Sequence, residues 1–165
     1  MSTFQRFAAI VIACAVTGAS AAAVTTQKDG KMTTTRAKGE FDVKLTPQPS
    51  DDKSPGAPMG RMTIDKVFRG DLAGTSKGEM LTAMAPTVKN SGVYVAVERV
   101  TGTLNGRTGS FALHHTGIMD RGNQNLTITV VPDSGTDGLV GITGKMNIII
   151  EGSKHFYELE YSLTK

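Results

Sequence analysis

The side chains best suited to moving or holding a proton lie on two strand-like stretches in the second half of this sequence. In the last stretch His155, Tyr157, Leu159, Tyr161 and Leu163 fall on one face, and Glu158 and Glu160 on the other. That follows from the period of two along a strand. The apolar members assign the first face to an interior, and His155 and Tyr157 go with it. The stretch from Ser110 behaves alike: Phe111, Leu113, His115 and Met119 share a face, with His114 opposite. Imidazole titrates near neutral pH and phenol both donates and accepts. His115, His155 and Tyr157 therefore suit ligand orientation or proton transfer. Read structurally, the same cluster is a set of buried polar groups bonded to one another for packing specificity.

Glu98 is the fourth candidate. It interrupts a valine-rich run, Val93 to Leu104, on the face of Tyr94, Ala96 and Val100, while Arg99 sits with Val93, Val95 and Val97. A carboxylate beside a histidine suits acid–base work. An ion pair on a rim is the plainer alternative, because a buried charge without a partner is very costly. The candidate catalytic residues are thus His115, His155, Tyr157 and Glu98. The candidate ligand contacts are Tyr94, His115, His155, Tyr157 and Tyr161. Neither a metal nor a cofactor is expected, since the two inward histidines stand on separate strands without the close ligand spacing metals need. No Gly-x-Ser-x-Gly elbow is expected either, and with it no α/β-hydrolase triad. The glycines join strands rather than open helices, which sets aside a phosphate loop.

Composition bounds the setting. A length of 165 residues fits one domain. Met1 to Arg6 carries one positive charge, Phe7 to Val16 is apolar, and small residues follow from Gly18 to Ala23. This is the layout of a secretory signal peptide cleaved near Ala21 to Ala23. The apolar run is too short to span a bilayer as a mature helix. Val11-Ile12-Ala13-Cys14 loosely matches a lipoprotein signal, but apolar and small residues continue past Cys14, which disfavours it. The expected organisation is a signal peptide over 1–23, a flexible leader over 24–36 and a single domain over 37–165. The expected location is periplasmic or secreted, with no stable membrane association after cleavage. Removal of Cys14 leaves no cysteine, hence no disulfide and no thiol nucleophile. The formal charge of +3 falls to about +2 with the loss of Arg6. Basic residues are interleaved with acids, without the stripe that nucleic acids require. A small-molecule ligand and a second copy of the chain remain as partner classes.

Strands must position the candidates. Phe41, Val43 and Leu45 alternate with charged residues, and Thr46 to Pro58 reads as a loop with four prolines. Strands resume at Met62 to Phe68 and from Leu72, then over Val93 to Leu104. Asn105-Gly106 signals a type I′ hairpin turn into Arg107 to Met119. Asp120 to Gln124 turns the chain again, followed by a strand over Leu126 to Val131. Pro132 to Gly138 interrupts pairing, and the last strands run from Gly144 to Glu151 and His155 to Leu163. A pattern recurs through this walk. Leu104-x-Gly106-x-x-Gly109-x-Phe111 and Leu139-x-Gly141-x-x-Gly144-x-Met146 match in spacing, and Leu72-x-Gly74-x-x-x-Gly78-x-Met80 adds one residue. Gly39-Glu40-Phe41 repeats only its end. Such recurrence marks a reused supersecondary unit, read here as the point where one strand hands over to the next. Eight antiparallel strands with regular glycine bends predict an all-β, closed eight-stranded barrel, with a two-sheet sandwich as the alternative.

Gly70-Asp71-Leu72-Ala73-Gly74-Thr75-Ser76-Lys77-Gly78-Glu79-Met80-Leu81 and Tyr94-Val95-Ala96-Val97-Glu98-Arg99-Val100-Thr101-Gly102 resemble a bacterial family of unknown function, family 3224. So do His115-Thr116-Gly117-Ile118-Met119-Asp120-Arg121-Gly122, Val131-Pro132-Asp133-Ser134-Gly135-Thr136 and His155-Phe156-Tyr157. The resemblance covers Ala37 to Leu163. It implies a barrel similar to that of allene oxide cyclase and carries no assigned activity. The expected function is binding of a small, partly apolar ligand inside the barrel. The alternatives are an isomerase or cyclase using those polar residues, and a filled barrel with an external interaction surface.

Overall fold

The computed structural model describes residues 33–49 and 56–164. The expected signal peptide, its cleavage site, Cys14 and most of the leader lie outside the described residues. Eight strands follow in order: β1 Thr35–Gln48, β2 Met59–Gly70, β3 Leu72–Met84, β4 Gly92–Leu104, β5 Arg107–Asp120, β6 Asn123–Val130, β7 Ile142–Glu151 and β8 Lys154–Leu163. Each pairs antiparallel with its neighbours in sequence, and β8 returns to β1 to close a barrel. The barrel, not the sandwich, is the fold. Closure leaves no full-length edge exposed, which suits a chain this rich in β-branched residues.

The boundaries depart from expectation in physically simple ways. β1 begins at Thr35, inside the expected leader, and continues through Pro47, inside the expected loop. Pro47 still pairs with Met62 of β2, but β8 has left β1 beyond Phe41. On that side Pro47 has no ladder bond to donate, so its missing N–H costs nothing. Asn105 and Gly106 both take positive φ, 46° and 79°, as a type I′ turn requires. The glycine repeat is less uniform than its spacing suggests. The copy at Leu104 crosses the β4–β5 turn and the copy at Leu139 enters β7, whereas the copy at Leu72 lies wholly inside β3. There Gly74 is in register with Gly102, which in turn faces Gly109 on β5. A Cβ on Gly74 or Gly102 would collide with the backbone of the strand beside it, so this inward row permits the close approach of three strongly bent strands.

The two ends of the barrel differ. At one end Leu72, Leu104, Phe111, Leu113 and Leu159 are packed and fully buried. That end is sealed by the 131–141 segment, whose short 3-10 turn, Asp137–Leu139, presses the buried Leu139 against Gly109. The segment is held by Thr136 N–H to Ser110 O and by Ala112 N–H to Ser134 Oγ, at 2.9 and 3.0 Å. The opposite end carries the β3–β4, β5–β6 and β7–β8 turns. Two of these are tied together by Gly122 N–H to Asn90 O and Arg121 N–H to Ser91 Oγ, both 2.9 Å. Around the wall the pairing is long except at one seam: β6 meets β7 at Ile128–Met146 and Thr129–Lys145, and the ladder stops there.

Candidate functional site

Between the sealed end and the hairpins the barrel encloses a cavity of about 390 Å³. The alternation of β2 turns Met62, Ile64, Lys66 and Phe68 inward, so a lysine shares a face with three apolar residues. On β4 the inward set is Tyr94, Ala96, Glu98 and Val100, and on β5 it is Phe111, Leu113 and His115. β2, β4 and β5 therefore bring Lys66, Glu98 and His115 together at the floor of the cavity, where Lys66 and His115 line it and Glu98 lies beneath them. Lys66 Nζ donates to Glu98 Oε1 at 2.8 Å, and Ser76 Oγ donates to Glu98 Oε2 at 3.0 Å. His115 Nε2 lies 3.2 Å from Glu98 Oε1. The side chains of Lys66, Glu98 and His115 are 5, 0 and 4% exposed. This overturns the rim ion pair: Glu98 is an interior charge, and Arg99 points outward.

Electrostatics settle the state of the carboxyl. Burial is the largest influence and pushes Glu98 up. The hydrogen bond from His115, the Lys66 and His115 charges and the Lys66 hydrogen bond together outweigh it and hold the carboxyl down at about 2. An ionised carboxylate only accepts, so the His115 Nε2 proton points at Glu98. The other ring nitrogen, Nδ1, has no protein hydrogen bond, yet it is not a sealed, unsatisfied atom. It opens on the cavity that His115 lines. Lys66 sits beneath the Phe41 and Phe68 rings, with Nζ 5.1 and 5.8 Å from their centroids. Burial, then the Glu98 charge, pushes the Tyr94 phenol up, so it stays protonated on the cavity wall.

A sequence profile of the family described as "Protein of unknown function (DUF3224)" matches residues 37–161. The chain belongs to the DUF3224 family. A crystal structure of a DUF3224 protein of unknown function from Shewanella oneidensis MR-1 is 47% identical to this DUF3224 chain, with a TM-score of 0.76. The match covers 81% of this chain and 99% of that one. No curated protein matches the sequence.

Of the expected site residues, the DUF3224 barrel brings Tyr94, His115 and His155 to the cavity lining and sets Glu98 beneath it, bonded to His115. His155 stacks at a tilt on Phe41, with centroids 5.3 Å apart. Tyr157 and Tyr161 do point inward, but at the sealed end, away from the cavity lining. Tyr157 does not join the histidines; its hydroxyl accepts from Leu72 N–H at 2.8 Å and so staples β8 to the β2–β3 turn. The Tyr161 hydroxyl accepts from Asn105 Nδ2 at 3.0 Å. Lys77 and Glu79 are outward, as their spacing implies, and bond across to Asp65 and Arg61 of β2. Gly74-Thr75-Ser76-Lys77-Gly78 does carry Gly-x-Ser-x-Gly spacing, but it runs through β3 and forms no elbow. Ser76 and His115 both bond Glu98, so the histidine is not a base for the serine. Lys66 and Ser76 join the candidate site without having been expected there. Their signal was parity: each shares the inward face of its strand with apolar neighbours. Among the described residues no cluster of three metal-binding side chains occurs.

Two glycines in the DUF3224 site also lack any obvious sequence signal. Gly78 faces Glu98 across the β3–β4 ladder, and a Cβ there would strike the Glu98 side chain. Gly117 faces Tyr94, whose ring occupies the space a Cβ would need.

Proposed function

We propose that the open half of the barrel binds a small, predominantly apolar molecule. The cavity carries this reading: its volume falls in the range of small-molecule sites, its walls are apolar, and its charged groups gather at one end. Met62, Met80, Met84 and Met119 line it, and flexible thioethers re-pack around varied shapes. We also propose that the protein works outside the cytoplasm, on the signal-like residues 1–23. Native mass spectrometry of protein purified from its own host tests both. The expected spectrum shows a chain beginning after Ala21 or Ala23 and carrying an extra mass that denaturation removes. An uncut chain sinks the export reading. Protein that carries no adduct and takes up no apolar probe sinks the binding reading.

An isomerase or cyclase is the second reading, favoured by one observation. His115 is backed by Glu98 and presents Nδ1 to the cavity, an arrangement able to take a proton from a bound molecule. A reaction abolished by His115→Gln with binding retained distinguishes it from binding alone. The filled barrel is set aside, because packing occupies only the sealed half.

A further inference from the structure

We infer that the polar end of the bound molecule is a hydroxyl group, on an uncharged apolar alcohol or phenol; this rests on the binding reading above. Both Glu98 oxygens are engaged, Oε1 by Lys66 and His115 and Oε2 by Ser76. What the floor has left to offer is therefore on the other two residues. The Lys66 ammonium carries three protons, of which Glu98 takes one. In the form of the His115 ring that carries a single proton, held on Nε2 towards Glu98, Nδ1 is a bare acceptor. Lys66 Nζ and His115 Nε2 contact the same carboxylate oxygen, so the ammonium and the ring that carries Nδ1 are neighbours on the floor, and both residues line the cavity. A hydroxyl has one proton to give and lone pairs to receive, and so satisfies both at once.

Other head groups fit less well. A carboxylate brings a second negative charge beside Glu98, where Lys66 is the one fixed cation, and burying unmatched charge is costly. An amine places a like charge against Lys66. A ketone accepts from Lys66 but gives nothing to Nδ1. The remaining titratable groups on the wall, Tyr94 and His155, stand above the floor among Phe41, Ile64 and Met80, and supply no further cation held by a carboxylate. Size completes the class. At about 30 Å³ for each water-sized group, the cavity holds roughly a dozen non-hydrogen atoms.

Naphthalene, 2-naphthol and 2-naphthoate match that size and differ only in the group that meets the floor. The chain has no tryptophan, so naphthyl fluorescence can be read directly in a titration of the mature protein at pH 8. The expected order is 2-naphthol tightest, by about tenfold over naphthalene, with 2-naphthoate weakest. His115→Phe is expected to shrink the naphthol-to-naphthalene ratio to about twofold. Equal binding of naphthol and naphthalene, or tightest binding of naphthoate, overturns the hydroxyl while leaving the cavity a binding site. Failure of all three to bind overturns the reading beneath it. The ranking on the natural chain decides without any variant.

Discussion

Glu98 shows how a single side chain can hold a site and a fold together. Its carboxyl sits near 2 rather than its ordinary 4.5 because the cationic and hydrogen-bonding neighbours outweigh its burial. A carboxyl that is more acidic in the folded chain than in the unfolded one binds fewer protons when folded. Its contribution is present above about 4.5 and is lost as pH falls towards 2. The size is about 3 kcal/mol. Urea unfolding followed from pH 7 down to pH 2.5 is expected to show that loss. Glu98→Gln is expected to cost about 3 kcal/mol or more at pH 7, since it leaves Lys66 charged and buried, and to flatten the acid limb. A variant as acid-sensitive as the natural chain contradicts this account. The inward turn of Glu98 was legible in the sequence, because Tyr94, Ala96 and Val100 share its face. Its partners were not, since strand parity says which way a side chain points and not which side chains meet across three strands.

At the scale of elements, most strands could be read from alternation, and the Asn105-Gly106 turn from its two residues. The glycines were harder to read, because equal spacing hid three different jobs. Some make turns, some permit bends, and Gly78 and Gly117 clear room for side chains on β4. The last job depends on cross-strand register, which no local pattern displays. Gly117→Val is expected to displace the Tyr94 ring into the cavity. Overpacking of this kind costs about 1–3 kcal/mol in stability, read by thermal unfolding. Uptake of 2-naphthol should fall with it, and unchanged uptake would mean that Tyr94 has room to move elsewhere. The valine-rich β4 carries a related lesson. Val95 and Val97 face out, with Val97 57% exposed, and serve strand propensity rather than the core, whereas Val100 turns in and is buried.

At the largest scale, the described residues form a barrel with one packed half and one hollow half. Eight strands and closure followed from the number and spacing of alternating runs. The division between the halves did not, because alternation assigns faces but says nothing of depth along the axis. The plug at Leu139 also comes from a segment whose proline and glycines read as a plain loop. Pairing strength is uneven too. Hydrogen exchange is expected to be slowest across β3, β4 and β5, where the ladders are long, and fastest in residues 123–127 of β6 and the facing part of β7. Bound 2-naphthol should slow that region; uniform protection around the barrel would contradict the unevenness.

The short β6–β7 seam has one more consequence. Continued upward, its register would set Leu126 opposite Ile148 and Gln124 opposite Ile150, and all four of these residues line the cavity. Two of the turns over the open end, β3–β4 and β5–β6, are bonded to one another, whereas this flank has no ladder to break. On the proposed binding reading, a guest is expected to enter sideways, between two strands, without any hairpin yielding. Such a side door would select by girth, admitting flat or slender molecules ahead of bulky ones of equal volume.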